Sequence, residues 1–152
     1  MTDYTPWIGQ VSPPRPLQLH AEAMQAFSRA IGSHYAPYFD RTAAQKAGYP
    51  DIIAPPTYAF TLPSFPISGL TLPQAGLIHA EQTLHYATVL YAGESLEIIL
   101  TFSDYKSRIV HGQAMAWFTL VSTGYQSNGA CAFTSQSLLV YREAAPHASS
   151  LA

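Results

Sequence analysis

The sequence predicts an α+β fold, with helical segments before residue 62 and an antiparallel meander after residue 77. Two patterns carry this expectation. Met24, Phe27, Ala30 and Ile31 recur at helical spacing, whereas the later segments 77–86, 95–102, 114–122 and 131–141 are rich in β-branched and aromatic residues. Helices first and strands afterwards argue against a βαβ repeat.

The elements follow in order. Residues 1–14 hold three prolines without periodicity and read as an extended arm, followed by a short strand at 16–19. A helix begins at Ala21 and stops at Gly32. A shorter one is expected over 42–47, closed by Gly48. Pro55 and Pro56 suit a helix start, because the first amides of a helix have no partner, so residues 57–62 are expected to open a third helix. Pro63, Pro66, Gly69 and Pro73 then make a loop. In the meander, Leu96, Ile98, Leu100 and Phe102 alternate with Glu97 and Thr101, the mark of a half-buried strand. Asn128-Gly129 signals a hairpin because both residues accept positive φ, and a further turn is expected within 106–112. Residues 143–152 read as a frayed tail.

Composition bounds the function. The chain of 152 residues, 48% hydrophobic, is expected to form one domain around one core. Only 11% of residues are charged and the net charge is −2, so neither nucleic acid nor an anionic membrane is an expected partner. The single cysteine, Cys131, excludes an intrachain disulfide and fits a reducing cytoplasm. No signal peptide or membrane-spanning run is read. Ten tyrosines and seven phenylalanines in so uncharged a chain point either to aromatic surface covered by another subunit or to a roomy aromatic core.

Three stretches in order carry a family likeness. AIGSHYAPYFD (30–40) is similar to a loop pattern GDxNPxHxD, IIAPPTYAF (52–60) to an IAHGM pattern at a central helix, and GLIHAEQTLHYATVLYAGESLEI (76–98) to the His-containing strand and Gly-Glu turn that follow. On these motifs the chain resembles the MaoC-like hydratase/dehydratase family, and the IAPPT variant resembles its N-terminal, FAS1-like dehydratase half. The resemblance implies a hotdog fold, an antiparallel sheet wrapped around a central helix, here residues 57–62. It implies a dimer, and reversible hydration of a trans-2-enoyl thioester to a 3-hydroxyacyl thioester. The CoA or phosphopantetheine arm belongs to the substrate, and no separate cofactor is expected. An Asp–His pair would activate water, and amides at the central helix would polarise the thioester carbonyl.

Carried over position by position, this catalytic set is incomplete. Ser33 falls where the family has Asp, Tyr35 where it has Asn, and Tyr38 where it has His. Pro56 falls on the Gly whose amide is needed, and proline has no N–H to give. Hydroxyls titrate far above neutrality and do not replace a carboxylate–imidazole pair. The resemblance therefore implies a substrate-binding half, with Ser33, Tyr35, Tyr38, Pro56, Thr57 and Tyr58 around the substrate and a catalytic MaoC-like partner supplying the pair.

Two rebuilt sites compete with that reading. His34 and Asp40 share one loop, although Asp40 also suits a cap for the helix at 42–47. His79, Glu81 and His85 share one face of a regular strand, which makes His79 and Glu81 a base-and-orienter candidate, or a structural pair. Either would make a self-sufficient homodimeric enoyl-CoA hydratase. A hotdog thioesterase is disfavoured because no Asp or Glu lies between Ile52 and Ile78, and a non-catalytic acyl-thioester-binding protein is the reading from another class. No HxH, HxxxH or CxxC spacing occurs, so no metal site is expected.

Overall fold

The last three expected strands form a meander, but the first, 77–86, pairs with the last and not with the second, and the strands outrun the sequence expectation. The computed structural model describes residues 2–142. It contains β1 (Arg15–Gln18), α1 (Ala21–Ala30), α2 (Arg41–Lys46), β2 (Leu77–Tyr86), β3 (Ser95–Val110), β4 (Gln113–Gln126) and β5 (Cys131–Arg142). The strands make one antiparallel sheet of five in the order β1-β3-β4-β5-β2. This is the hotdog arrangement in its sheet.

β3 runs eight residues beyond the expected end at Phe102, because Lys106 and Arg108 are outward positions of a strand and not turn residues. Lys106 Nζ lies 3.0 Å from Asp104 Oδ2, and the Arg108 guanidinium lies 4.7 Å over the Trp117 ring. The turn itself is His111-Gly112, both at positive φ, as a two-residue hairpin requires. The Asn128-Gly129 hairpin closes as expected, with the Asn128 side chain accepting from the Ala130 amide at 2.9 Å.

Two other expectations need correction. The arm at 1–14 is not simply extended: Thr5–Trp7 is a 3-10 turn, and Tyr4 is buried among Phe102, Tyr105 and Phe118. Beyond it the chain pairs with β3 through Gly9 N–H to Phe102 O (2.8 Å) and Ser12 N–H to Leu100 O (2.8 Å). The prolines hide this pairing, since they break any period without preventing contact at a sheet edge. The tail expected at 143–152 lies outside the described residues.

The larger correction concerns the central helix. Residues 57–62 do not form one; Tyr58–Thr61 makes a single 3-10 turn. Pro63 disfavours helical geometry at Leu62, which is extended at φ −69 and ψ 141. The Thr61 hydroxyl donates to the Tyr58 carbonyl at 2.7 Å, taking an acceptor that a following turn would have used. The chain then crosses the sheet without regular structure, burying Ile67. Consequently the core is divided. One cluster gathers Met24, Ile52, Tyr58, Leu90, Ile98 and Phe133, and another gathers Tyr4, Ile67, Phe102, Tyr105 and Phe118.

Candidate functional site

Three segments meet beside the 3-10 turn at Tyr58–Thr61: the α1–α2 loop, residues 52–57, and the chain leaving β2. α1 ends through Gly32, at φ +70, which turns the loop outward. The Ile53 amide donates to Pro37 O (3.2 Å), that of Ala54 to Leu90 O (2.8 Å), and that of Ala92 to Ile52 O (2.8 Å). Backbone bonds thus fix the frame before any side chain is considered.

In the loop, Ser33 Oγ accepts from the Tyr35 amide at 3.3 Å. Tyr35 and Tyr38 meet edge to face, 5.0 Å between centroids, with Tyr35 exposed. Burial, then the neighbouring Tyr35 and Tyr49, pushes the Tyr38 phenol above its ordinary value, away from service as a base near neutrality. Asp40 spends its carboxylate on α2, accepting from the Ala43 amide at 2.7 Å. His34 is exposed, and no hydrogen bond or ion pair joins it to Asp40 among the described residues.

The β2 pair separates. A bulge between His79 and Glu81 sets His79 opposite Leu139 and Glu81 opposite Leu138. Adjacent residues of β5 point to opposite faces, so the two side chains do as well, and the expectation of a shared face fails. His79 lies on the inner face, stacked on Phe60 at 5.2 Å and 17°. Glu81 stands on the outer face, accepting from the Thr83 hydroxyl at 3.4 Å.

Pro56 and Thr57 are exposed at the start of the 3-10 turn, whereas Tyr58 points into the core against Phe27, 5.5 Å between centroids. Burial pushes the Tyr58 phenol up too. The turn has few amides to offer. Pro55 and Pro56 have none, the Tyr58 amide donates to Pro55 O at 2.9 Å, and that of Ala59 donates to the Tyr86 phenol at 3.4 Å. Among the described residues only the Thr57 amide of this group has no partner.

Tyr86 is the residue that sequence reasoning missed. Its hydroxyl donates to Pro56 O at 2.6 Å, and burial raises its pKa more than the Ala59 amide lowers it. On one side of it lies an open hollow of about 320 Å³, walled by Ala54, Pro56, Thr88, Val89 and Leu90. Beneath the far side of the 3-10 turn is a second cavity of about 150 Å³, bounded by Phe60, Leu62, Leu100, Ser122, Ser135 and Ser137. The polar run 134–137 in a central strand was the available signal for it. Among the described residues no group of three His, Cys, Asp or Glu side chains is placed to hold a metal ion, and no helix is long and apolar enough to cross a membrane.

This frame has known counterparts. The model of the FAS1-like dehydratase domain region matches residues 6–134. The chain belongs to the FAS1-like dehydratase family. It is 34% identical over 108 residues to a UPF0336 protein of Streptomyces coelicolor, covering 66% of this chain and 71% of that one. In fold it is similar to the C-terminally truncated HadBC (3R-hydroxyacyl-ACP dehydratase) complex from Mycobacterium tuberculosis. There the TM-score is 0.71 at 16% identity, over 91% of this chain and 98% of the other. It is also similar to a MaoC-like dehydratase from Rhodospirillum rubrum, with a TM-score of 0.67 at 18% identity, over 91% and 94%. The chain thus has the hotdog fold that its three motifs implied, and is a FAS1-like dehydratase family member in which residues 58–61 make a 3-10 turn where a central helix was expected.

Proposed function

We propose that this chain is the substrate-binding half of a dehydratase that acts on an acyl thioester, and that a catalytic MaoC-like subunit supplies the Asp and His. The observation that carries the reading is the hydration machinery this chain lacks. Ser33, Tyr35 and Tyr38 occupy the loop where the family resemblance puts the catalytic set, and the Tyr38 phenol is pushed further from titrating near neutrality. The turn that should present amides to the thioester oxygen is preceded by two prolines and has given the Ala59 amide to Tyr86, which leaves the Thr57 amide alone. The hollow beside Pro56 remains and would take the thioester end, with the acyl group running under the 3-10 turn.

Pairing with another subunit follows from β2. It is an edge strand of ten residues with Ile78 61% exposed, and a second hotdog strand laid along it would extend the sheet and cover that edge. The HadBC protein is a complex by its own description, which supports a heterodimer here. The homodimeric hydratase finds no support in His34 and Asp40, which share no hydrogen bond or ion pair among the described residues, or in His79 and Glu81 on opposite faces.

The test is hydration of trans-2-enoyl-CoA by the pure chain, followed by loss of enoyl absorbance, with acyl-CoA binding measured in parallel. Binding without turnover is expected. Turnover abolished by His34→Ala or His79→Ala would overturn the assignment in favour of a rebuilt site.

A further inference from the structure

The inner face of the sheet is apolar at both ends and polar in the middle. β-Strand alternation places Ile98, Leu100, Phe102 and Tyr105 of β3 on it, and the register continues through Phe118, Leu120 and Phe133. Between the two apolar clusters lie Ser122, Ser135 and Ser137, with Gln82 of β2 beside them. The sheet's order makes β4 and β5 interior strands, so these serines face the space that a central helix would otherwise fill. Placing hydroxyls in a core costs free energy unless each finds a partner.

The partners are only half accounted for within the chain. The Ser137 hydroxyl donates to Gln82 Oε1 at 2.7 Å, and Gln82 Nε2 donates to Ser135 Oγ at 2.8 Å. This chain of bonds fixes the direction of each donor. Ser135, 6% exposed, accepts from Gln82, so its own proton is left to donate. Ser122 is its cross-strand partner on the same face, and the Ser122 hydroxyl makes no hydrogen bond to the protein among the described residues. No fully buried side-chain oxygen among the described residues lacks a partner, so the Ser122 hydroxyl reaches accessible space, and the space it lines is the cavity. Two hydroxyl donors therefore sit on directly paired residues of adjacent strands, whose Cβ atoms are about 5 Å apart, and face one hollow.

We infer that this cavity selects an acyl chain bearing an oxygen, a ketone or hydroxyl, several carbons from the thioester, and that Ser122 and Ser135 donate to that oxygen. The inference rests on the acyl-thioester reading and specifies its substrate class. An unsubstituted alkyl chain would cover both donors and leave them unpaired, which a site built to bond an oxygen penalises. Gln82 and Ser137 act as positioning residues: the Ser137 proton is spent on Gln82 Oε1, and one Gln82 N–H is spent on aiming Ser135.

The test uses the full chain and a set of oxo-octanoyl-CoA isomers, differing only in the position of the ketone, against octanoyl-CoA. At one or two positions the ketone should tighten binding by about tenfold. Ser122→Ala and Ser135→Ala should each remove most of that preference, read as the ratio of oxo-octanoyl-CoA to octanoyl-CoA affinity within each variant. Equal binding of octanoyl-CoA and every oxo isomer would overturn the inference and leave the acyl-thioester reading standing, with water as the ordinary occupant of the cavity. Failure of every thioester to bind, with the chain folded, would overturn both. A preference that survives both serine substitutions would move the oxygen site elsewhere and also defeat the inference.

Discussion

Gly124→Ala is the sharpest probe of the packing behind the site. Gly124 is buried in β4 directly across from Phe133 of β5. A Cβ at this glycine would stand 2.8 Å from Phe133 Cδ1 and 3.0 Å from Cζ, and nearer still to Cε1. Carbon atoms pack best at about 3.5–4.0 Å, so the ring must move by about 0.7 Å or more. It has little room to do so: Phe133 is 1% exposed and its far side meets the Tyr86 ring, 6.2 Å between centroids. Overpacking of this kind costs about 1–3 kcal/mol, and this close approach belongs at the upper end. Replacing a strand glycine returns about 0.5–1 kcal/mol of backbone entropy. The net expectation is a loss of about 2 kcal/mol, or about 4–8 °C in Tm for a chain of this length. Urea unfolding of Gly124→Ala, Phe133→Leu and the double variant supplies the assay. Leucine at 133 removes the ring atoms that clash, so the pair should couple by at least about 1 kcal/mol in the direction of rescue. A neutral Gly124→Ala, or strictly additive variants, would refute the claim that the missing Cβ is what seats Phe133.

Three further outcomes are expected. Asp40→Ala should cost about 1 kcal/mol in chemical denaturation by uncapping α2, with Asp40→Ser recovering most of it and acyl-CoA affinity unchanged; lost affinity at full stability would make Asp40 a site residue instead. Tyr86→Phe leaves the Ala59 amide without its phenol partner and should lower stability by about 1 kcal/mol and weaken acyl-CoA binding, both readable by thermal shift with and without ligand. Tyr4, Tyr38, Tyr58 and Tyr86 all titrate above 10.0 in the folded chain, each chiefly because burial disfavours the phenolate. In that window the unfolded chain has already lost protons that the native one keeps, so stability is intact below pH 10.0 and falls as pH rises through the folded values. Tyrosinate absorbance should therefore show a late-ionising group that appears together with unfolding; ionisation of all ten tyrosines near pH 10.0 in a still-folded chain would contradict it.

The parts of this fold legible in the sequence are those set by local chemistry. Helical spacing and Gly32 located α1, Asp40 and Gly48 bracketed α2, and Asn128-Gly129 placed the last hairpin. What escaped depends on partners distant in the chain. The arm pairs with β3 some ninety residues away, as in the Leu100 amide donating to Ser12 Oγ at 2.9 Å across 88 residues, and prolines erase any local sign of it. The His79–Glu81 pairing failed for a different reason. A period of two holds only in an unbulged strand, and one additional residue reverses every face beyond it.

The misread central helix shows how an error in local structure bears on function. Apolar residues at 58–62 suggest a helix to be buried, but two prolines before them and Pro63 after leave too few residues to propagate one. A full helix would have placed apolar side chains over β4 and β5, and serines beneath it would have been a plain liability. With only a 3-10 turn there, the same positions border a cavity, and Ser122, Ser135 and Ser137 become groups that an occupant can satisfy. The same prolines leave this stretch short of backbone amides. On the proposed reading, the scarcity of amides and the cavity are two consequences of one short segment, residues 55–63, in a half that binds substrate and leaves the chemistry to its partner.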